Sequence, residues 1–213
     1  MDVGTSRCKE FCMLNIWEAL TGKLRNLQIV NRYQTIPVLH KESVAAHITM
    51  TIWISYCLAR EIEGRDVLVD TGKVLEKAFF HDIGECDIGD IVRVVKHSNK
   101  DLLALLDSAE EQSVKNLERE VGISGLVTIW KDAKDSSIEG QIVRLADFLS
   151  VVSYCQQELE LGNHKIKEIL REVAKYLKEI VVGKGKVKNE ILKSIAFKVL
   201  QHLEIILSVG GDA

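Results

Sequence analysis

Proline is almost absent from this sequence, and its scarcity is the first indication of the fold. The chain has 213 residues and one proline, Pro37. Because proline interrupts helices and marks turns, its near absence favours long helices over a loop-rich β fold. Hydrophobic residues make up 46% and charged residues 28%, which suits a packed core and argues against extensive disorder. We therefore expect an all-α protein.

The sequence also lacks the features of secreted, membrane-spanning and duplex-binding proteins. No apolar run approaches the roughly 20 residues of a membrane helix, and no secretory signal is visible. A net charge of −3 provides no basic surface for a nucleic-acid duplex. The five cysteines form no CxxC pair and are interpreted as reduced thiols: Cys8, Cys12, Cys57, Cys86 and Cys155. We expect a cytoplasmic protein without a membrane or duplex partner.

Apolar residues recur at helical spacing along most of the chain. The clearest periodic segments are Glu42–Glu63, Asp101–Val121 and Ile138–Leu161. Ser43 is predicted to cap the first of these helices. Thr71 is predicted to cap the next one, which continues to His81-Asp82.

No linker interrupts this helical pattern, so the sequence predicts one domain over residues 1–213. Its core is expected at about residues 27–163. Two C-terminal amphipathic helices, within residues 164–209, are expected to pack on that core.

Four ionisable residues lie inside apolar helical stretches. His47 lies in the string VAAHI, His81 and Asp82 follow AFF, and Asp147 lies in LADFL. A buried unpaired carboxylate is costly, so such residues need a partner. Two imidazoles and two carboxylates on separate helices suit a divalent transition metal. Taken singly, residues of these types are more often structural, as a hydrogen-bonded core or surface histidine or as a helix-to-helix acceptor; the combination of four on separate helices favours a metal site.

The order and spacing of these residues resemble the HD-domain phosphohydrolases, whose motif order is H…HD…D. The closer resemblance is to the YfbR-like 5′-deoxynucleotidases and related phage deoxynucleotide phosphohydrolases, over about residues 27–163. Beyond the four residues above, the matching positions are Arg32-Tyr33 before the first histidine, Glu85 in HDxxE, Asp90 in GD, Lys96 six positions later, and Gly162-Asn163.

The resemblance implies an HD-type helical bundle with one metal ion held by His47, His81, Asp82 and Asp147. Cobalt, manganese, iron, zinc and nickel are the expected metals, with magnesium as an alternative. It further implies that Arg32 and Lys96 hold the substrate phosphate and that Glu85 and Asp90 divide the acid and base roles. Tyr33 would face the sugar, at a position where the family usually has tryptophan. A homodimer or larger homo-oligomer is also implied.

The implied activity is removal of phosphate from deoxynucleoside 5′-monophosphates. One alternative is a deoxynucleoside triphosphate triphosphohydrolase that uses the same site, and another is a catalytically silent nucleotide-binding HD scaffold. The string HDIG also occurs in cyclic-dinucleotide phosphodiesterases, but Glu85 follows it here where those enzymes usually have lysine. The remaining histidines, His40, His97, His164 and His202, are expected on the surface.

Overall fold

The computed structural model describes residues 15–96 and 98–208 and confirms the all-α prediction. No strand occurs in those ranges, where one isolated bridge joins Asn31 and Ser43. No helix in them is long and apolar enough to cross a membrane. Cys8, Cys12, His97 and residues 209–213 lie outside the described residues.

Ten α-helices occur in the described ranges: α1 (Ile16–Thr21), α2 (Val44–Glu63), α3 (Thr71–Phe80), α4 (Glu85–Ile88), α5 (Arg93–Lys96), α6 (Lys100–Val121), α7 (Leu126–Asp132), α8 (Ile138–Glu160), α9 (Lys167–Val181) and α10 (Glu190–Ser208). Short 3₁₀ segments precede α2 and α9, at Lys23–Gln28 and His164–Ile166.

The caps of α2 and α3 show how local sequence sets the helix starts. Ser43 caps α2 as predicted, because its hydroxyl accepts the Ala46 N–H at 3.2 Å. The cap of α3 is Asp70, not Thr71: the Asp70 carboxylate accepts the Lys73 N–H at 3.0 Å. A carboxylate there also interacts favourably with the positive end of the helix dipole, which displaces the start by one residue.

The end of α3 also differs from the prediction. The helix stops at Phe80, and residues 81–84 form a turn before α4. The Ile83 N–H bonds to the Phe80 carbonyl at 3.3 Å, a three-residue closure in place of the four-residue α-helical one. His81 and Asp82 therefore leave the helix axis and lie in the turn.

The main hydrophobic core joins α2, α3 and α8 to the C-terminal helices. Buried residues of all five elements form one cluster, for example Ile62, Ala78, Leu145, Leu177 and Leu192. Because α9 and α10 share this core with α2 and α8, we propose that the chain forms one domain.

A second cluster places α6 and α7 beside the turn that carries His81 and Asp82. Ile83 packs with Val114 and Leu117 of α6 and Leu126 of α7. At Gly84 a Cβ atom would lie 3.2 Å from the Glu110 carbonyl oxygen, so glycine permits the close approach of the turn to α6.

Candidate metal centre

Three elements bring His47, His81, Asp82 and Asp147 together: α2, the turn after α3, and α8. His47 Nε2 lies 3.1 Å from Asp147 Oδ1 and 3.4 Å from Asp82 Oδ2. His81 Nε2 lies 2.9 Å from Asp82 Oδ2 and 3.4 Å from His47 Nε2. One ligand atom from each of the four residues lies within 4.8 Å of the others.

These separations fit a shared metal ion. Two ligand atoms at about 2.1 Å from one ion, at octahedral or tetrahedral angles, lie about 3.0–3.4 Å apart. The four contacts above, at 2.9–3.4 Å, fall close to that range. The group could therefore hold a divalent metal, and its mixed nitrogen and oxygen donors suit a first-row transition metal.

Hydrogen bonds on the far sides of both imidazoles direct Nε2 into the cluster. His81 Nδ1 donates to the Ala78 carbonyl at 2.7 Å. His47 Nδ1 lies 2.9 Å from Ser150 Oγ, and the Ser150 hydroxyl donates to the Asp147 carbonyl at 2.7 Å. Because the Ser150 proton is used there, its oxygen accepts from His47. Both rings thus keep the Nε2 lone pair that metal binding requires.

Lys134, in the α7–α8 connection, contacts the outer oxygens of the two carboxylates. Its Nζ lies 2.6 Å from Asp147 Oδ2 and 3.6 Å from Asp82 Oδ1, whereas the other oxygen of each carboxylate faces the histidines. Burial opposes ionisation of Asp147, but the positive charge of Lys134 outweighs it, and the pKa of Asp147 is lowered. The carboxylates are therefore held ionised, with one oxygen each for a metal.

Arg32, Asp90 and Glu42 form an ion-paired group near the cluster. Arg32 Nη1 lies 3.2 Å from Glu42 Oε2, and Arg32 Nε lies 3.7 Å from Asp90 Oδ2. Burial raises the pKa of Asp90, against the opposing effect of Arg32. The structure thus brings two of the predicted site residues, Arg32 and Asp90, into contact.

Glu85, at the start of α4, is largely enclosed. Burial and the neighbouring charges of Asp82 and Asp90 raise the pKa of Glu85 well above its usual range. Its Oε2 atom is buried without a hydrogen-bond partner among the described residues. A buried carboxyl oxygen of this kind is unusual and is found at sites where a ligand or water completes the bonding.

Tyr33 stacks on Tyr154 of α8, with ring centroids 4.6 Å apart and planes inclined by 2°. Its φ of 58° lies in the left-handed region, which costs free energy in a residue with a side chain. The stacking and the Arg32 guanidinium, 5.2 Å from the ring centroid, hold this conformation. The phenolic oxygen of Tyr33 is buried near the Glu42 carboxylate, without a hydrogen bond of normal geometry among the described residues.

Lys96 lines a cleft of about 710 Å³ bounded by α6, α7 and α8. We name it the α6–α8 cleft. His81 and Asp82 form part of its wall, and its basic side chains are Lys96, Lys131, Lys134 and Arg144. Lys96 donates to Glu110 at 2.5 Å, so it reaches the cleft already paired.

Sequence reasoning missed several residues that the structure places at the cluster. Ser150 and Thr51 are buried beneath His47, with the Thr51 hydroxyl 3.2 Å from Ser150 Oγ. Their positions carried a signal: Thr51 follows His47 by four residues and Ser150 follows Asp147 by three, so each shares a helix face with a ligand candidate. Lys134 carried none, because its contact depends on the α7–α8 connection.

Comparison with known proteins gives a family match over most of the chain. A family model described as 5′-deoxynucleotidase YfbR-like matches residues 20–191. A 5′-deoxynucleotidase of Photorhabdus laumondii is 24% identical over 161 residues, which cover 72% of this chain and 80% of the relative. A 5′-deoxynucleotidase of Vibrio vulnificus is 24% identical over 149 residues, covering 67% and 75% of the two chains.

Solved structures share the fold. A protein from Pyrococcus horikoshii superimposes with a TM-score of 0.68 at 23% identity, covering 90% of this chain and 99% of that one. An HD-domain phosphohydrolase from Listeria innocua gives a TM-score of 0.62 at 24% identity, covering 91% and 98%. At 23–24% identity these matches are evidence for the fold alone. They confirm the predicted HD-type helical bundle.

Proposed function

Because this chain belongs to the YfbR-like 5′-deoxynucleotidase family and is therefore a phosphohydrolase, we propose that it removes phosphate from deoxynucleoside 5′-monophosphates. The observation that carries the proposal is the cluster of His47, His81, Asp82 and Asp147, whose ligand atoms lie within 4.8 Å of one another. The chain belongs to a hydrolase family, and its four potential metal-ligating residues lie together. The alternative of a catalytically silent scaffold therefore has no support.

The metal, when bound, supplies Lewis-acid charge beside the phosphoryl group and lowers the pKa of a water. His47, His81, Asp82 and Asp147 would hold it. Arg32 uses one Nη1 contact on Glu42, and its guanidinium has further N–H donors for phosphate oxygens. Lys96 would approach the phosphate from the α6–α8 cleft.

Glu85 and Asp90 are the proposed proton-transfer residues. Both lie beside the cluster, since the charge of Asp82 acts on each of them. One would accept the proton of the attacking water, and the other would donate a proton to the leaving 5′-oxygen. Glu85 has an oxygen free for this exchange, whereas Asp90 is oriented by Arg32.

A panel of nucleotides tests the substrate class. The metal-loaded protein is incubated with mono-, di- and triphosphates of ribo- and deoxynucleosides. Released orthophosphate, pyrophosphate and tripolyphosphate are then separated and quantified. Orthophosphate release from deoxynucleoside monophosphates is the expected result. Exclusive release of tripolyphosphate from deoxynucleoside triphosphates would replace the proposal with the second candidate.

That second candidate, a deoxynucleoside triphosphate triphosphohydrolase, draws on one observation. The α6–α8 cleft borders Asp82 and carries four basic side chains, Lys96, Lys131, Lys134 and Arg144. Basic groups beside the metal could accommodate further phosphates. Two of these lysines are already bonded to Glu110 and Glu111, which is why we prefer the monophosphate.

Tyr33 is proposed to confer the preference for deoxyribose. A ring held rigidly by Tyr154 excludes a 2′-hydroxyl, whereas its phenol could bond to one. Steric exclusion costs about 1–3 kcal/mol and a neutral hydrogen bond contributes about 0.5–1.5 kcal/mol, so exclusion should dominate.

The test compares kcat/KM for dAMP and AMP in the wild type, Tyr33→Ala and Tyr33→Phe. Equal values of kcat/KM for dAMP and AMP in the wild type would refute the preference. If the ratio of the two values is the same in Tyr33→Ala as in the wild type, Tyr33 is not the cause of the preference.

A further inference from the structure

Arg144 is an arginine of α8 that the resemblance does not assign to the site. It precedes Asp147 by three residues, so the two side chains share a face of α8. Arg144 lines the α6–α8 cleft together with His81 and Asp82. The side chain of Arg144 therefore borders the same space as two residues of the metal cluster.

The guanidinium of Arg144 has no counter-ion in the described part of the chain. No carboxylate there lies within ion-pairing distance of it, and its Nε atom is buried without a hydrogen-bond partner. The other basic residues of the cleft are occupied: Lys96 by Glu110, Lys131 by Glu111 and Lys134 by Asp147. A buried N–H without an acceptor is costly, so an acceptor from a ligand would stabilise this arrangement.

We infer that Arg144 binds a phosphate group of the substrate from the α6–α8 cleft. The reaction of this family requires a phosphoryl group beside the metal cluster, and the cleft leads to that cluster. Phosphate oxygens match the forked N–H donors of arginine in pairs, which a lysine does not offer. The inference rests on the proposed function and extends it, because it names a phosphate-binding residue of the cleft, whose lining does not include Arg32.

The role of Arg144 differs from that of the two predicted phosphate-binding residues. Arg32 and Lys96 both have carboxylate partners, so each must share its donors between a carboxylate and the phosphate. Arg144 has no such competition. Its removal should therefore weaken phosphate binding without releasing an unpaired carboxylate inside the protein.

The test is calorimetric titration of the metal-loaded protein with inorganic phosphate, in the wild type, Arg144→Ala and Arg144→Lys. Arg171→Ala is the control, since Arg171 is an exposed arginine on α9. Metal content and melting temperature are measured for each variant. We expect the Kd of phosphate to rise about tenfold or more in Arg144→Ala, less in Arg144→Lys and not in Arg171→Ala.

Parallel titrations with non-hydrolysable analogues of dAMP and dATP locate the phosphate that Arg144 contacts. Equal weakening for both nucleotides places it on the phosphate at the metal, and weakening for dATP alone places it on a more distant phosphate. If Arg144→Ala retains metal and binds phosphate and both nucleotides as the wild type does, the inference is wrong.

The proposed function can fail separately. A wild type that hydrolyses no deoxynucleoside monophosphate, but loses phosphate affinity with Arg144→Ala, would keep the inference and overturn the substrate assignment. Arg144→Lys serves where Arg144→Ala does not fold, because it keeps the length and charge of the side chain. An affinity in Arg144→Lys equal to the wild type would show that the arginine fork makes no specific contact.

Discussion

At the scale of single residues, the cluster depends on groups that do not touch the metal position. Ser150 fixes the tautomer of His47, accepting from Nδ1 at 2.9 Å while donating to the Asp147 carbonyl at 2.7 Å. It therefore links two of the four ligand candidates through one hydroxyl. Partners of this kind orient the ligands and commonly alter metal affinity when removed.

Ser150→Ala should weaken metal binding about 10–100-fold while leaving the helical content unchanged. The cause is loss of the acceptor that holds His47 Nδ1–H, which frees the ring to rotate or change tautomer. Competition with a chelator of known affinity measures the effect. Ser153→Ala, at an exposed position of the same helix, is the control. Identical metal affinity in the two variants would show that Ser150 does not orient His47.

Removal of Lys134 should increase the stabilisation by metal, whereas removal of Ser150 should weaken metal binding. The reason is that the positive charge of Lys134 neutralises the two carboxylates in the metal-free protein. Without metal, Lys134→Met leaves Asp82 and Asp147 without their cation and should lower the melting temperature. With metal bound, removal of a nearby like charge favours the ion. The rise in melting temperature on adding metal should thus be larger in Lys134→Met than in the wild type.

Lys131→Met is the matched control for Lys134, since Lys131 pairs with Glu111 at 2.9 Å and not with the cluster. Thermal unfolding with a chelator and with saturating metal gives the melting temperatures of the metal-free and metal-bound forms of each variant. A metal-induced rise in Lys134→Met equal to or below that of the wild type would contradict the proposed role.

The sequence identifies the four clustered residues because ionisable side chains inside apolar helices are conspicuous. It does not identify Lys134, because this residue lies in a charged connection and no local pattern distinguishes it from a solvent-exposed lysine. Only the path of the chain between α7 and α8 brings it to Asp147. Part of that path depends on Gly140, where a Cβ would lie 2.7 Å from the Asp135 backbone nitrogen. Local patterns cannot predict such a contact.

At the scale of elements, the end of α8 holds the connector that carries Arg32 and Tyr33. Glu158 is fully buried and accepts backbone N–H groups of Leu39 at 2.8 Å and His40 at 2.7 Å. Asn163 donates to Glu158 at 2.6 Å and to the Pro37 carbonyl at 2.9 Å. The family resemblance includes Gly162-Asn163 without a role for either residue, whereas the structure shows that Asn163 joins two segments.

Glu158→Gln should destabilise the protein by about 1.5–3 kcal/mol at pH 7, because bonds to a charged acceptor are lost. Burial opposes ionisation of Glu158, but the bonds from Asn163, Leu39 and His40 outweigh it and lower its pKa. The stabilisation is therefore present above the unfolded-state pKa, about 4.3, and is lost as the pH falls through the lower folded-state pKa.

Urea unfolding of the wild type and Glu158→Gln at pH 7 and at several values below pH 4.3 measures this dependence. The difference in unfolding free energy should shrink toward low pH. Glu160→Gln, an exposed position two residues away, should show a small difference at every pH. A Glu158→Gln difference that stays constant with pH would contradict the ionised, hydrogen-bonded state.

At the scale of the whole molecule, we propose a homodimer or larger homo-oligomer. The resemblance implies it, and exposed apolar side chains offer surface for it, among them Trp53, Phe197 and Ile205. Light scattering at micromolar concentration should give a multiple of 23.9 kDa. A particle of the monomer mass alone would reject the proposal.

The central claim is that one divalent metal, held by His47, His81, Asp82 and Asp147, is required for phosphate release. The most direct test is elemental analysis of purified wild type and Asp82→Ala, with dAMP hydrolysis followed on the same samples. Asp101→Ala, at an exposed aspartate of α6, is the control. The account predicts about one metal ion per chain in the wild type and control, and loss of both metal and hydrolysis in Asp82→Ala. Full metal occupancy in Asp82→Ala, or undiminished hydrolysis without metal, would contradict it.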